Sequence, residues 1–141
     1  MKRLITALGV MLLLISCTKR DNRISDRIAK NIRSEHENID LAKVAPFPWD
    51  KVFIFGPYTP EAMIEKSIGH SWDDYKNSGI GYSEGFGLLL FEKDGKTIAW
   101  CMNPRNNGDF AYLYNSNGYK RTEAYFQVEY SGITKRANIK K

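Results

Sequence analysis

The segment from Phe86 to Met102 restricts the fold more than any other. Two β-forming runs, Phe86-Gly87-Leu88-Leu89-Leu90-Phe91-Glu92 and Thr97-Ile98-Ala99-Trp100-Cys101-Met102, flank Lys93-Asp94-Gly95-Lys96. Asp-Gly between such runs specifies a tight hairpin, because glycine accepts the positive φ that these turns require. Lys51-Val52-Phe53-Ile54-Phe55, stopped by Gly56-Pro57, reads as a buried strand, and Phe110-Ala111-Tyr112-Leu113-Tyr114 as a short one. In Glu123 to Tyr130 the residues Ala124, Phe126, Val128 and Tyr130 alternate with Glu123, Tyr125, Gln127 and Glu129, so that strand has one wet face. Between the first strand and the hairpin, Thr59-Pro60-Glu61 begins a short helix, with Thr59 as N-cap and Pro60 at the first helical position. Met63, Ile64 and Ile68 form its apolar face and Gly69 ends it. The order predicts an α+β fold, an antiparallel sheet of about five strands with one short helix packed on one face.

Upstream, Ile24, Ile28 and Ile32 recur every four residues and Ile39 follows one heptad after Ile32, a narrow apolar stripe on a helix. The spacing fits a docked helix and a tether alike. Residues 17–45 are assigned as an N-terminal helical tether, whose extended reach would be on the order of 90 Å. Pro46-Phe47-Pro48-Trp49 then opens an expected domain over 46–134, since paired prolines forbid a continuing helix. The basic tail 135–141, with Lys135, Arg136, Lys140 and Lys141, reads as a frayed end free to lie against anionic lipid or glycan.

Residues 1–16 have the parts of a signal peptide: basic Lys2 and Arg3, an apolar core from Leu4 to Ile15, and small Ser16 before Cys17. The apolar run is about a dozen residues against the ~20 of a spanning helix. Leu14-Ile15-Ser16-Cys17 resembles the lipobox of bacterial lipoproteins. That resemblance implies cleavage before Cys17, diacylation of its sulfur and usually acylation of the new N-terminus. One acyl chain binds a bilayer only marginally, so two or three make the anchor stable. Thr18 stands where an aspartate would favour inner-membrane retention. The resemblance therefore implies a cell-envelope location, on the outer membrane facing the periplasm if the source has two membranes. The run Phe47-Pro48-Trp49-Asp50-Lys51-Val52-Phe53-Ile54-Phe55-Gly56-Pro57-Tyr58-Thr59-Pro60, with Ile68-Gly69, Trp72, Pro104-Arg105 and Gly108-Asp109-Phe110, further resembles small uncharacterised bacterial lipoproteins. It implies a shared fold and envelope location, and no activity.

Loss of Lys2 and Arg3 lowers the formal charge of +5 by two, and the remaining basic residues are scattered, so nucleic acid is not an expected partner. With Cys17 committed to lipid, Cys101 has no disulfide partner and reads as a buried thiol in a strand.

Three functional readings rest on two groupings of residues. His70 with Asp73 and Asp74 offers an imidazole and two carboxylates, short of the three or four well-placed ligands of a zinc site, so neither metal nor cofactor is expected. The same residues would serve an envelope hydrolase. Loop aromatics carry the third and preferred reading. Trp49, Tyr58, Trp72, Tyr75 and Tyr82, with Arg105 and Asp109, are of the types that dominate binding hot spots and equally of the types that fill a small core. The expected function is a non-enzymatic, membrane-anchored binding module for an envelope protein or glycan, using Tyr58, Trp72, Tyr75, Arg105 and Asp109. An inhibitor or immunity protein is a special case.

Overall fold

A computed structural model describes residues 18–133 and 135–141; the expected signal peptide over 1–16 and the expected lipidation at Cys17 lie outside the described residues. The elements are β1 (Lys19–Arg20), α1 (Asn22–Arg33), β2 (Asn38–Asp40), α2 (Leu41–Val44), β3 (Lys51–Phe55), α3 (Glu61–Ile68), α4 (Tyr75–Ser78), β4 (Phe86–Lys93), β5 (Lys96–Pro104), β6 (Tyr119–Lys120), β7 (Tyr125–Ser131) and β8 (Arg136–Lys140). The fold is α+β, with two sheets. A five-stranded sheet runs β1-β5-β4-β3-β6, and a three-stranded antiparallel sheet runs β2-β7-β8. The larger sheet is antiparallel except at one edge, where β1 pairs parallel to β5.

The β4–β5 hairpin closes as its Asp-Gly predicts: Asp94 and Gly95 have φ of 51° and 73°, the paired positive values of the tightest hairpin turn. Both faces of this ribbon are covered, which explains why Leu88-Leu89-Leu90-Phe91 is continuously apolar. Phe53, Phe55, Leu88, Leu90, Trp100 and Met102 pack with Ile64, Ile68, Trp72 and Ile80 on one face. Val52, Ile54, Leu89, Phe91 and Cys101 pack with the isoleucines of α1 and the inner residues of the small sheet on the other. Cys101 is fully buried, and burial pushes its thiol well above the ordinary range.

Five expectations need correction. Over its described residues, 18–45, the segment is docked on the sheets and is no tether. Asp21 caps α1 by accepting from Arg23 N, and Ile24 and Ile28 are fully buried against the sheet. Thr18 donates to Thr97 O at 3.1 Å, so the folded body begins at the first described residue. Pro46 to Trp49 consequently sits inside the fold, with the buried Trp49 Nε1 donating to Ala45 O at 2.8 Å. The tail is a strand rather than a frayed end: Ala137 and Ile139 are buried while Arg136 pairs with Asp109 and Lys140 with Glu129. Phe110–Tyr114 is a turn, not a strand; Phe110 and Leu113 point inward, and Leu113 N donates to Phe110 O. Thr59 does not cap α3. Its hydroxyl donates back to Gly56 O at 2.7 Å and Pro60 takes the cap position. Gly69, in the left-handed region at φ 81°, ends the helix as expected.

Among the described residues, no helix is long and apolar enough to cross a membrane.

Candidate functional site

The antiparallel pairing brings the end of β3, the start of β4 and the end of β5 to one end of the large sheet, with Phe55 opposite Leu88 and Phe86 opposite Pro104. Three loops leave there and, with Phe86 at the start of β4, they carry most of the exposed aromatic side chains among the described residues: Tyr58, Tyr82, Tyr112 and Tyr114. Tyr82 and Tyr112 are 77% and 82% exposed, too open for any packing role. The loops are fixed to one another. Tyr58 N donates to Ile80 O at 2.9 Å, Arg105 N to Gly85 O at 2.9 Å, and the Tyr114 hydroxyl meets Ser67 Oγ at 3.2 Å.

Tyr58 is the residue the geometry singles out. In Gly56-Pro57-Tyr58-Thr59 it follows the proline of a turn, at the place where a glycine or asparagine usually supplies positive φ, and it has φ 60°. A bulky residue in the left-handed region costs roughly 1–2 kcal/mol. The side chain is 56% exposed, so burial does not offset that strain. Among the described residues, three other non-glycine residues, Glu35, Asp94 and Lys135, share a positive φ, and Tyr58 is the aromatic one of the four.

Of the other residues expected at the site, Arg105 is present and the rest support it. Arg105 Nη1 donates to Glu84 O at 3.3 Å, while its Nε and Nη2 hold Asp109 at 3.1 and 2.9 Å. Asp109 is 1% exposed and cannot touch a partner; it also accepts from Ala111 N and from Arg136. Burial raises its pKa, but the hydrogen bonds from Arg105, Ala111 N and Arg136 together outweigh burial and hold it below the ordinary carboxylate value. Trp72 is 3% exposed and stands edge-on to Trp100 with ring centroids 5.5 Å apart, a core residue. Half-buried Tyr75 bolts α4 to the turn: its hydroxyl donates to Thr59 O at 3.1 Å and leaves no room for a Cβ at Gly81. Both were expected at the surface because they lie in a polar segment, and both are turned in by the apolar face of the sheet beneath. Tyr112 and Tyr114 were missed because their alternation with Ala111 and Leu113 imitates a strand.

His70, Asp73 and Asp74 do not converge. Asp74 accepts from Trp100 Nε1 at 3.1 Å, Asp73 is exposed, and His70 Nε2 lies 3.1 Å from Oε1 of buried Glu92. The other ring nitrogen, Nδ1, lies 2.9 Å from the Ser71 carbonyl and so must carry the proton it donates. Among the described residues, no three His, Cys, Asp or Glu side chains gather as metal ligands.

Burial raises the Glu92 pKa, opposed by His70 and Lys51. A carboxyl raised on folding contributes stability below its unfolded value, near 4.3, and loses it as pH rises through the folded value. Glu92→Gln, which can still hydrogen-bond His70, is therefore expected to unfold at a higher temperature than the parent at pH 7.5, with the gap closing at pH 4. Thermal melts at the two pH values check this; equal gaps at both would refute it.

A separate open groove of about 480 Å³ lies beside α1, lined by Arg27, Lys30, Asn31, His36 and Lys43, with Asp40 its one carboxylate. That carboxylate accepts from Ala42 N as the cap of α2, so the groove is a polar, cationic surface without an arranged acid–base pair.

No protein-family model matches the chain. Neither a curated protein nor a solved structure is detectably similar to it.

Proposed function

We propose that this chain is an envelope lipoprotein, acylated on Cys17, whose folded body binds a partner protein through the tyrosine-rich end of its large sheet. The observation that carries the reading is Tyr58, exposed and held at φ 60°. The surrounding composition supports a protein partner. Ser78-Gly79-Ile80-Gly81-Tyr82-Ser83 and Tyr112-Leu113-Tyr114-Asn115-Ser116-Asn117 are rich in Tyr, Ser, Gly and Asn, the mixture that antibody paratopes use. Tyrosine gives rigid contact area at low entropy cost, and the small polar residues adapt their hydrogen bonds. Arg105, held by Asp109, adds an anchored cation among the rings.

Photo-crosslinking from position 58 or 82 of the intact anchored protein, with exposed Asp26 on α1 as control, tests the surface. A discrete adduct from 58 and 82 but not from 26 is the expected result, and the same products from all three positions would refute it. The anchor has its own test: labelled palmitate should enter the protein and fail to enter Cys17→Ser.

Tyr58→Gly separates presentation from folding. Relief of backbone strain contributes roughly 1–2 kcal/mol, against about 0.4–1 kcal/mol for the freer unfolded chain. Stability is therefore expected to stay level or rise by up to about 1.6 kcal/mol while crosslinked partner is lost. A variant that binds as before would remove Tyr58 from the site.

A further inference from the structure

The opposite end of the large sheet has a different character. There the strand ends are the start of β1, the β4–β5 turn, the start of β3 and the end of β6. Each contributes lysine: Lys19, Lys93, Lys96, Lys51 and Lys120. Lys51 and Lys120 sit directly opposite each other in the β3–β6 pairing, an arrangement of like charges that weakens a sheet; buried Glu92, opposite Lys51 in the β3–β4 pairing, offsets only the Lys51 side, and Lys120 has no such cross-strand carboxylate. Beside them opens a groove of about 460 Å³ lined by Trp49, Asp50, Lys51, Lys120, Arg121 and Thr122. Arg121 forms a fixed positive wall, donating to Phe47 O and Ala42 O with its guanidinium 5.0 Å from the centre of the Trp49 ring. Asp50 is the groove's acidic group; it accepts from Asp94 N at 2.7 Å and lies 3.8 Å from Lys93.

We propose that this end docks on an anionic phospholipid surface, with a headgroup phosphate between Lys51 and Lys120. Two observations independent of each other support one occupant. The unfavourable lysine pair is relieved by an anion placed between the two ammonium groups. The chain also leaves the fold here, because Thr18 is bonded to Thr97 at the start of β5, and the residue before Thr18 is Cys17. One residue step spans only about 3.8 Å, so a lipid on Cys17 leaves no slack and presses this end against the bilayer. That second argument rests on the proposed anchor, whereas the lysine pair does not. β4 runs the length of the sheet from this end to the tyrosines, about 25 Å at the usual rise, so docking holds the tyrosine-rich end away from the membrane.

The test uses a chain of residues 17–141 carrying Cys17→Ser and no acyl group, since every described helix and strand lies within 18–141. Cosedimentation with phosphatidylglycerol-containing vesicles at low salt is expected to exceed that with pure phosphatidylcholine vesicles. A lysine near an anionic surface is worth about 1 kcal/mol, so Lys51→Gln with Lys120→Gln is expected to weaken binding about 30-fold. Lys30→Gln with Lys43→Gln, in the groove beside α1, is expected to leave it within about twofold. The double variant removes the Lys51–Lys120 repulsion and also the attraction of Lys51 to Glu92, so a cooperative melt above the assay temperature is the measurement that excludes misfolding as the cause of any loss. Equal binding to both vesicles, or equal loss in both double variants, would overturn the proposal. Because this chain carries no lipid, the outcome is independent of whether palmitate enters Cys17.

Discussion

Ile28→Ala is expected to lower the unfolding free energy by about 3 kcal/mol, within the ~2–5 kcal/mol range for truncating a buried isoleucine. Ile28 is fully buried between β5 and the small sheet, beside Ile24 and Ile32 on the same stripe of α1. Its side chain also packs under Gly108, where an added Cβ would lie 3.5 Å from it, so the deleted atoms leave a void among backbone that cannot collapse freely. The helix is bound by more than its stripe, since buried Ser25 Oγ and Asn103 Oδ1 lie 3.1 Å apart. Asp26→Ala on the exposed side of the same helix is expected to change stability by no more than about 0.5 kcal/mol. Urea denaturation of both variants decides between a docked helix and a tether. A tether predicts two equally small changes, and a drop in melting temperature of roughly 10 °C for Ile28→Ala alone supports the docked form.

That difference shows where the sequence stops being legible. A stripe of isoleucines every four residues specifies a helix and the side that must be covered, but says nothing about what covers it. The cover here includes Ile39 in the three-residue β2 and Ile139 in β8, elements too short or too highly charged to stand out. Arg136-Ala137-Asn138-Ile139-Lys140 has the alternation of a strand, yet its buried members are only an alanine and one isoleucine, and its charges dominate. The β4–β5 hairpin was legible because two local signals agree, the apolar runs and the Asp-Gly turn. At the candidate site the residue types were legible and their directions were not. Trp72 and Tyr82 lie in the same polar segment, and the apolar face above β5 takes the first while nothing claims the second. The left-handed backbone of Tyr58 leaves one trace, the absence of glycine after Gly56-Pro57.

Asp109→Asn is expected to cost about 3 kcal/mol and also to weaken partner binding, although the side chain is sealed from solvent. The asparagine keeps the shape and can still accept from Ala111 N, so the loss measures the charge. Without it, Arg105, whose side chain is 19% exposed, keeps its guanidinium with no counter-ion, whereas Arg136, at 48%, turns to water. The figure lies at the low end for broken buried pairs for that reason, and Arg136→Gln alone is expected to cost under about 1 kcal/mol. Acid provides the second readout. Because the Asp109 pKa is held below its unfolded value near 3.9, its contribution is present above that value and disappears as pH falls through the folded one. Parent and variant should therefore differ at pH 6 and converge as pH falls through the folded value. The effect on binding follows from position. Arg105 bridges Asp109 to Glu84 O in the loop that bears Tyr82, and the Asp109 backbone is bonded to Ala137 and Ile139 of β8. One carboxylate thus steadies a guanidinium among the tyrosines from beneath and ties the two sheets together, and a variant that melted lower yet crosslinked partner normally from position 82 would separate those roles.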